Sequence, residues 1–228
     1  LKPKYLKVNM EWCDKNFLDK YTAHMVQIAA GTKTLPYEQE FTDDIVKGIN
    51  EKMEKLVWQG SSSSAVTGEF AGILEILNAE SGSTVNVTAA TGTSAYQFVK
   101  DVYMGIPEEV INDSVIFVSD AVFRELIQDM VTANLYHYSA NNDHEEFYLP
   151  GTSTRVIRVS GLNGTANYDY AIAGQLKNFV YGTDLVGDEN KIEFWYSQDN
   201  RTFRLAVEWV AGTQVAFPDE IVVGKRAK

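Results

Sequence analysis

The chain has 228 residues, 45% of them hydrophobic, and a formal charge of −11. Its length fits one large domain or two small ones, burying roughly 70–75% of the unfolded surface without staples. The lone cysteine, Cys13, excludes an internal disulfide, and the acidic balance disfavours a dedicated nucleic-acid binder. No apolar run reaches membrane-spanning length and no signal-peptide pattern is present, so the chain reads as soluble with no membrane partner.

Residues 2–7 are basic and contain Pro3, which predicts an extended arm whose charge lacks a local partner. The first residue is Leu1, so an upstream portion is expected. Phe17, Leu18, Tyr21, Met25, Ile28 and Ala29 recur at helical spacing and predict a helix over 14–30, ended by Gly31. A second helix is expected from Thr42 as its cap, with Phe41 and Val46 as a hydrophobic staple and Asp43 and Asp44 at its positive end. Its stripe is Ile45, Val46, Ile49, Met53, Leu56 and Val57, closed by Trp58 and Gly60. The serines at 61–64 read as a flexible linker and the best domain boundary. An apolar stretch follows at 70–77, then polar chain to Gly92 with a strand over 85–87.

The clearest module spans 94–134. Ala95, Phe98, Val99, Val102 and Tyr103 share one helical face, Ser94 can cap that helix, and Pro107 requires it to stop by Gly105. Residues 115–118 form a β-branched run suited to a strand covered on both faces. Ser119 caps a further helix with the stripe Val122, Phe123, Leu126, Ile127, Met130 and Val131. Two helices on one buried strand imply a layered α/β domain. Beyond it, 136–146 is a polar loop, and short strands are expected over 155–159, 169–172 and 178–181, with a loop over 182–190. Ile192, Phe194 and Tyr196 pair with the alternating Phe203, Leu205, Val207 and Trp209 across a turn at 197–201, before a last strand over 221–223.

The search for chemistry returns little. Cys13 with His24, His137 or His144 is the one cysteine nucleophile option, but no nucleophile motif surrounds it, and a small semi-buried hydrophobe is the favoured reading. His137 and His144 with Asp143, Glu145 or Glu146 lack paired spacing on a rigid element, so a solvated loop is preferred to a metal site. Asp184, Asp188, Glu189 and Asn190 beside Gly187 miss the calcium-loop spacing, and the Gly151 run precedes a strand where a phosphate site would want a helix. The acceptor patterns at Asn86, Asn112, Asn163 and Asn200 matter only in a secretory pathway. No catalytic, cofactor or metal residue is assigned, which shifts the expectation toward a structural or binding role.

The phrases Glu54-Lys55-Leu56-Val57-Trp58-Gln59-Gly60, Phe70-Ala71-Gly72-Ile73-Leu74 and Ile106-Pro107-Glu108-Glu109-Val110, in that order, resemble major capsid proteins of tailed bacteriophages. So do Asn200-Arg201-Thr202-Phe203-Arg204 and Gln214-Val215-Ala216-Phe217-Pro218-Asp219-Glu220. The resemblance runs from about Phe41 onward, rests on order and phrase, and leans toward phages related to the crAss-like group. It implies the fold class α+β, a tailed-phage major capsid fold with peripheral-domain helices over 1–64, an axial domain over 65–191 and return strands to the peripheral domain over 192–228. It further implies hexamers and pentamers of the chain, an icosahedral shell around double-stranded DNA, assembly in the host cytoplasm, and portal, scaffold or decoration partners. An N-terminal arm and extended loop would precede Leu1, and no cross-linking lysine and asparagine pair is assignable. The alternatives are an encapsulin-like nanocompartment subunit with the same fold, a soluble α/β enzyme or ligand-binding domain using a metal at the 137–146 loop, and a head decoration protein.

Overall fold

The buried strand expected at 115–118 lies inside a six-stranded sheet, and every residue of it, Ser114–Val118, is buried. The computed structural model describes residues 2–13, 21–26, 29–30, 37–63, 69–134, 146–183 and 192–228. In chain order the elements are β1 (Lys4–Cys13), α1 (Tyr37–Gln59), α2 (Ile73–Ala79), β2 (Val85–Ala89), α3 (Ala95–Met104), β3 (Ser114–Val118) and α4 (Asp120–Thr132). Then come β4 (Glu146–Tyr148), β5 (Arg155–Arg158), β6 (Tyr168–Gln175), β7 (Phe179–Thr183), β8 (Ile192–Ser197), β9 (Thr202–Val215) and β10 (Val222–Ala227).

The six-stranded sheet has the order β2-β10-β6-β3-β5-β4, with β10 parallel to β2, β3 parallel to β5, and the remaining pairs antiparallel. Both faces are covered. On one, Phe98, Val99 and Val102 of α3 and Val122, Leu126 and Met130 of α4 pack on Ile116, Val118, Val156, Ala171 and Val222. On the other, Trp58 of α1 and Ile73, Leu74 and Leu77 of α2 pack on Val115, Phe117, Ile172 and Val223. Each large side chain so buried is worth about 1.5–3 kcal/mol. The caps match the sequence expectation: Ser94 Oγ accepts from the Gln97 amide, and Ser119 Oγ from the Val122 amide. α3 ends at Met104 with Gly105 as its C-cap, ahead of Pro107.

The second sheet has four strands, with β1 on one flank of β9 and β7 and β8 end to end on the other. All its pairings are antiparallel, and the predicted pairing of β8 with β9 runs from Ile192 opposite Val207 to Ser197 opposite Thr202. Helix α1 joins the two sheets. Met53, Leu56 and Val57 pack against Leu6, Ala211 and Trp209, while Trp58 lies 5.1 Å from the Phe117 ring and 6.2 Å from Phe179.

Several expectations are corrected. Thr42 is not a cap, because α1 begins at Tyr37, so Asp43 and Asp44 lie past its first turn. The stretch Glu38-Gln39-Glu40 is made of good helix formers. The arm at 2–7 is extended, but it is the start of a ten-residue strand, and Lys7 does have a partner, Glu208, at 2.9 Å. The serine stretch is anchored where it is described: the amide and hydroxyl of Ser62 both donate to the Glu75 carboxylate, at 2.6 and 2.7 Å. β9 runs six residues past Trp209, to Val215. Of the helix expected over 14–30, residues 21–26 and 29 are helical and 14–20 lie outside the described residues.

Candidate assembly surfaces

The residues singled out for chemistry do not converge. Cys13 stands at the end of β1 opposite Thr202, whereas His24 is buried at 4% exposure in the 21–26 helical turn. His137, His144, Asp143, Glu145, Asp184, Asp188, Glu189 and Asn190 lie outside the described residues, as does the side chain of Glu146. Among the described residues no three His, Cys, Asp or Glu side chains gather to hold a metal. An open depression of about 200 Å³ is lined by Asp113, Gln175, Leu176 and Lys177, with none of the convergent apolar wall a small-molecule site needs. Gly151 adopts φ of 78° in a turn leading to β5, and no helix follows to cradle a phosphate. Asn163 has a local task, accepting from the Asp120 amide at 2.9 Å and donating back to the Asp120 carboxylate.

What the molecule does present is surface, concentrated on the four-stranded sheet. Residues opposite one another in an antiparallel pair share a face. Leu6, Val8, Met10 and Trp12 therefore lie with Trp209, Val207, Leu205 and Phe203 on one face, and Tyr5, Lys7, Asn9 and Glu11 with Val210, Glu208, Ala206 and Arg204 on the other. The first face is covered by α1 at the Leu6 and Ala211 end. Toward the β8–β9 turn the cover thins: Met10, Phe194 and Tyr196 are 40–45% exposed, and Phe194 stacks on Phe203 at 5.7 Å with Tyr196 at 5.0 Å from the same ring. On the opposite face Trp195 is likewise exposed at this end, and Tyr5, opposite Val210, is exposed toward the other. Aromatic and Met side chains on both faces of one sheet end are enriched in protein contacts far more than in ordinary solvent-facing strands.

Across the open face β1 and β9 are held by charges. Glu208 accepts from the Tyr5 hydroxyl and pairs with Lys7, and Glu11 accepts from Thr202 Oγ1 at 2.8 Å and faces Arg204 at 3.4 Å. The Tyr5 hydrogen bond, then Lys7, lowers the Glu208 carboxyl below its ordinary range, and the Thr202 hydrogen bond, then Arg204, lowers Glu11. The Tyr5 hydroxyl is raised by its bond to Glu208.

Two polar junctions hold the body that carries this sheet. Glu54 of α1 accepts from the Ser160 hydroxyl and the Gly161 amide, and Gln59 donates to the Gly161 and Asn163 carbonyls at 2.6 and 2.7 Å. Only glycine fits at 161, since a Cβ would come within 2.3 Å of Trp58 Cδ1. At the end of β10, Arg226 donates to both Glu125 oxygens at 2.9 and 2.7 Å and to Asp169 at 2.8 Å, with its guanidinium 5.8 Å from the Phe98 ring centre. Burial lowers the Arg226 pKa, but the hydrogen bonds to Glu125 and Asp169 outweigh it and the net shift is upward. None of these residues was foreseen from sequence, because every partner lies far away in the chain.

No protein-family model matches the chain, and no curated protein is similar to it in sequence. Solved structures do match. The capsid of the native GTA particle aligns with a TM-score of 0.63 at 12% identity, over 99% of this chain and 73% of that one. The satellite phage P4 procapsid aligns with 0.63 at 11% identity, over 99% and 71%. The SrpI encapsulin of Synechococcus elongatus aligns with 0.62 at 10% identity, over 97% and 72%. The chain has the fold of tailed-phage capsid shells, which encapsulins share.

Proposed function

We propose, from the capsid-shell fold, that the chain is a major capsid protein whose copies form hexamers and pentamers of an icosahedral shell around packaged double-stranded DNA. The observation that carries this is the alignment of 99% of the chain with the satellite phage P4 procapsid and with the capsid of the GTA particle. The role is structural and not enzymatic. In this reading the six-stranded sheet with α3 and α4 is the axial part, α1 and the four-stranded sheet are the peripheral part, and β10 carries the chain back to the axial part. A charge of −11 suits a wall that encloses DNA without binding it tightly, so DNA contacts are nonspecific. Many weak copies of one contact sum through multivalency to a closed lattice. Assembly takes place in the host cytoplasm, with portal, scaffold or decoration proteins as partners.

The encapsulin likeness, at a TM-score of 0.62 against 0.63, favours one second reading: a nanocompartment shell around a protein cargo. Expression of the full gene product in a bacterial host, followed by sedimentation and electron microscopy, tests both. Shells protecting nuclease-resistant DNA support the capsid, shells holding a co-purified protein without DNA support the nanocompartment, and a monomer throughout overturns both.

A further inference from the structure

We propose that the free edge of β1 is a two-fold contact between copies of this chain, in which β1 pairs antiparallel with the partner's β1 about an axis through Asn9. Among the described residues β1 pairs only with β9, so a ten-residue strand presents one row of backbone donors and acceptors outward. Such an edge accepts another strand readily unless it carries a device against pairing. Its one proline, Pro3, precedes the strand, and its charges are arranged to favour a particular pairing.

The arrangement is self-complementary. With Asn9 opposite the partner's Asn9, Lys7 opposes the partner's Glu11, Val8 opposes the partner's Met10, and Leu6 opposes the partner's Trp12. Apolar residues stay on the covered face and polar ones on the open face, as the side-chain alternation of a shared sheet demands. Inside each copy Lys7 already pairs with Glu208, and Glu11 with Arg204. The contact would therefore extend these into a ladder of alternating sign running Arg204, Glu11, the partner's Lys7, the partner's Glu208, and its two-fold mate. Other two-fold registers that respect the faces lose this. An axis at Lys7 or at Glu11 sets like charges against each other, and an axis at Val8 or Met10 leaves neither opposite an opposite charge. In a chain of net charge −11, where most surfaces repel their copies, an edge whose ladder charges Lys7, Glu11, Arg204 and Glu208 cancel selects a second copy as its occupant.

The contact rests on the reading of the chain as a self-assembling subunit and names one of its interfaces. Asn9→Cys in a Cys13→Ser background tests it. Opposite residues in an antiparallel pair have Cα atoms about 4.5–5.5 Å apart, within disulfide reach. Lys7→Cys in the same background is the register control, since Lys7 and the partner's Lys7 would be separated by more than ~13 Å. Mild oxidation of the assembled protein should cross-link N9C at least ~10-fold faster than K7C, while a mixture of K7C and E11C subunits should cross-link heterotypically. Equal rates for N9C and K7C, or no N9C dimer, overturn the proposal. Shells or rings without the N9C cross-link remove the edge contact and leave the shell reading standing. A cross-linked dimer that builds nothing larger keeps the contact and removes the shell reading, and a monomer without cross-link removes both.

Discussion

The two sheets solve opposite problems with the same backbone. The six-stranded sheet is dry on both faces, and its central residues Ile116, Val118, Ala171, Ile172 and Ala173 are all at 0% exposure. The four-stranded sheet is covered by α1 at one end and leaves Tyr5, Met10, Phe194, Trp195 and Tyr196 in solvent. The first spends its apolar residues on holding its own shape. The second withholds part of them, which forgoes their full burial in the isolated subunit and leaves apolar area that a neighbour would cover. In the proposed reading, stability and assembly occupy different parts of this molecule, so substitutions should separate them.

The largest effect should come from the dry sheet. Phe98→Ala removes a ring at 0% exposure between α3 and β10 and should cost about 3–5 kcal/mol, read as a lower urea midpoint of the subunit. Arg226→Met keeps the aliphatic packing but leaves the 13%-exposed Asp169 carboxylate without its guanidinium, and should cost about 3 kcal/mol by the same measurement. If either variant assembles poorly while unfolding like the parent, the division between the sheets is wrong.

On the four-stranded sheet the signs reverse. Trp195→Ser removes a 43%-exposed ring and should change subunit stability by less than ~1 kcal/mol, yet reduce the yield of assembled particles on sedimentation. Unchanged assembly would mean that this end of the sheet is not covered by a neighbour. The smallest effect is one of pH. Because the folded Glu11 and Glu208 carboxyls titrate below their ordinary value near 4.5, their contribution is complete above that value and is lost as pH falls through the lowered one. The apparent melting temperature should therefore fall below pH ~4.5, and the Glu11→Gln, Glu208→Gln double variant should flatten that fall.

Most of the dry sheet was legible in the chain. The 3.6 periodicity of α3 and α4 and the continuous β-branched run of β3 depend on burial alone, as does the alternation of β9 in the other sheet, and Ser94 and Ser119 are caps whose partners lie within three residues. The true start of α1 was hidden because Thr42 offers a plausible cap inside a helix already begun at Tyr37. The second half of β9 was hidden by small residues: Gly212 interrupts the alternation, and it is small because a Cβ there would lie 2.9 Å from Pro3 Cα. β1 itself alternates through Leu6, Val8, Met10 and Trp12, a signal masked by the basic residues at its start. What sequence could not supply is distance. Lys7 and Glu208, Glu54 and Ser160, and Arg226 and Glu125 are separated by 101 residues or more, so no local rule pairs them. Nor could alternation alone say that Phe194 and Tyr196, on the same face as the buried Leu205, stay 45% and 43% exposed.

The central claim is that the chain works through the edges it shares with copies of itself. Sedimentation velocity with electron microscopy on the purified full-length product tests it most directly. The account predicts rings or closed shells that grow with concentration, and a species that stays monomeric across that range would contradict it.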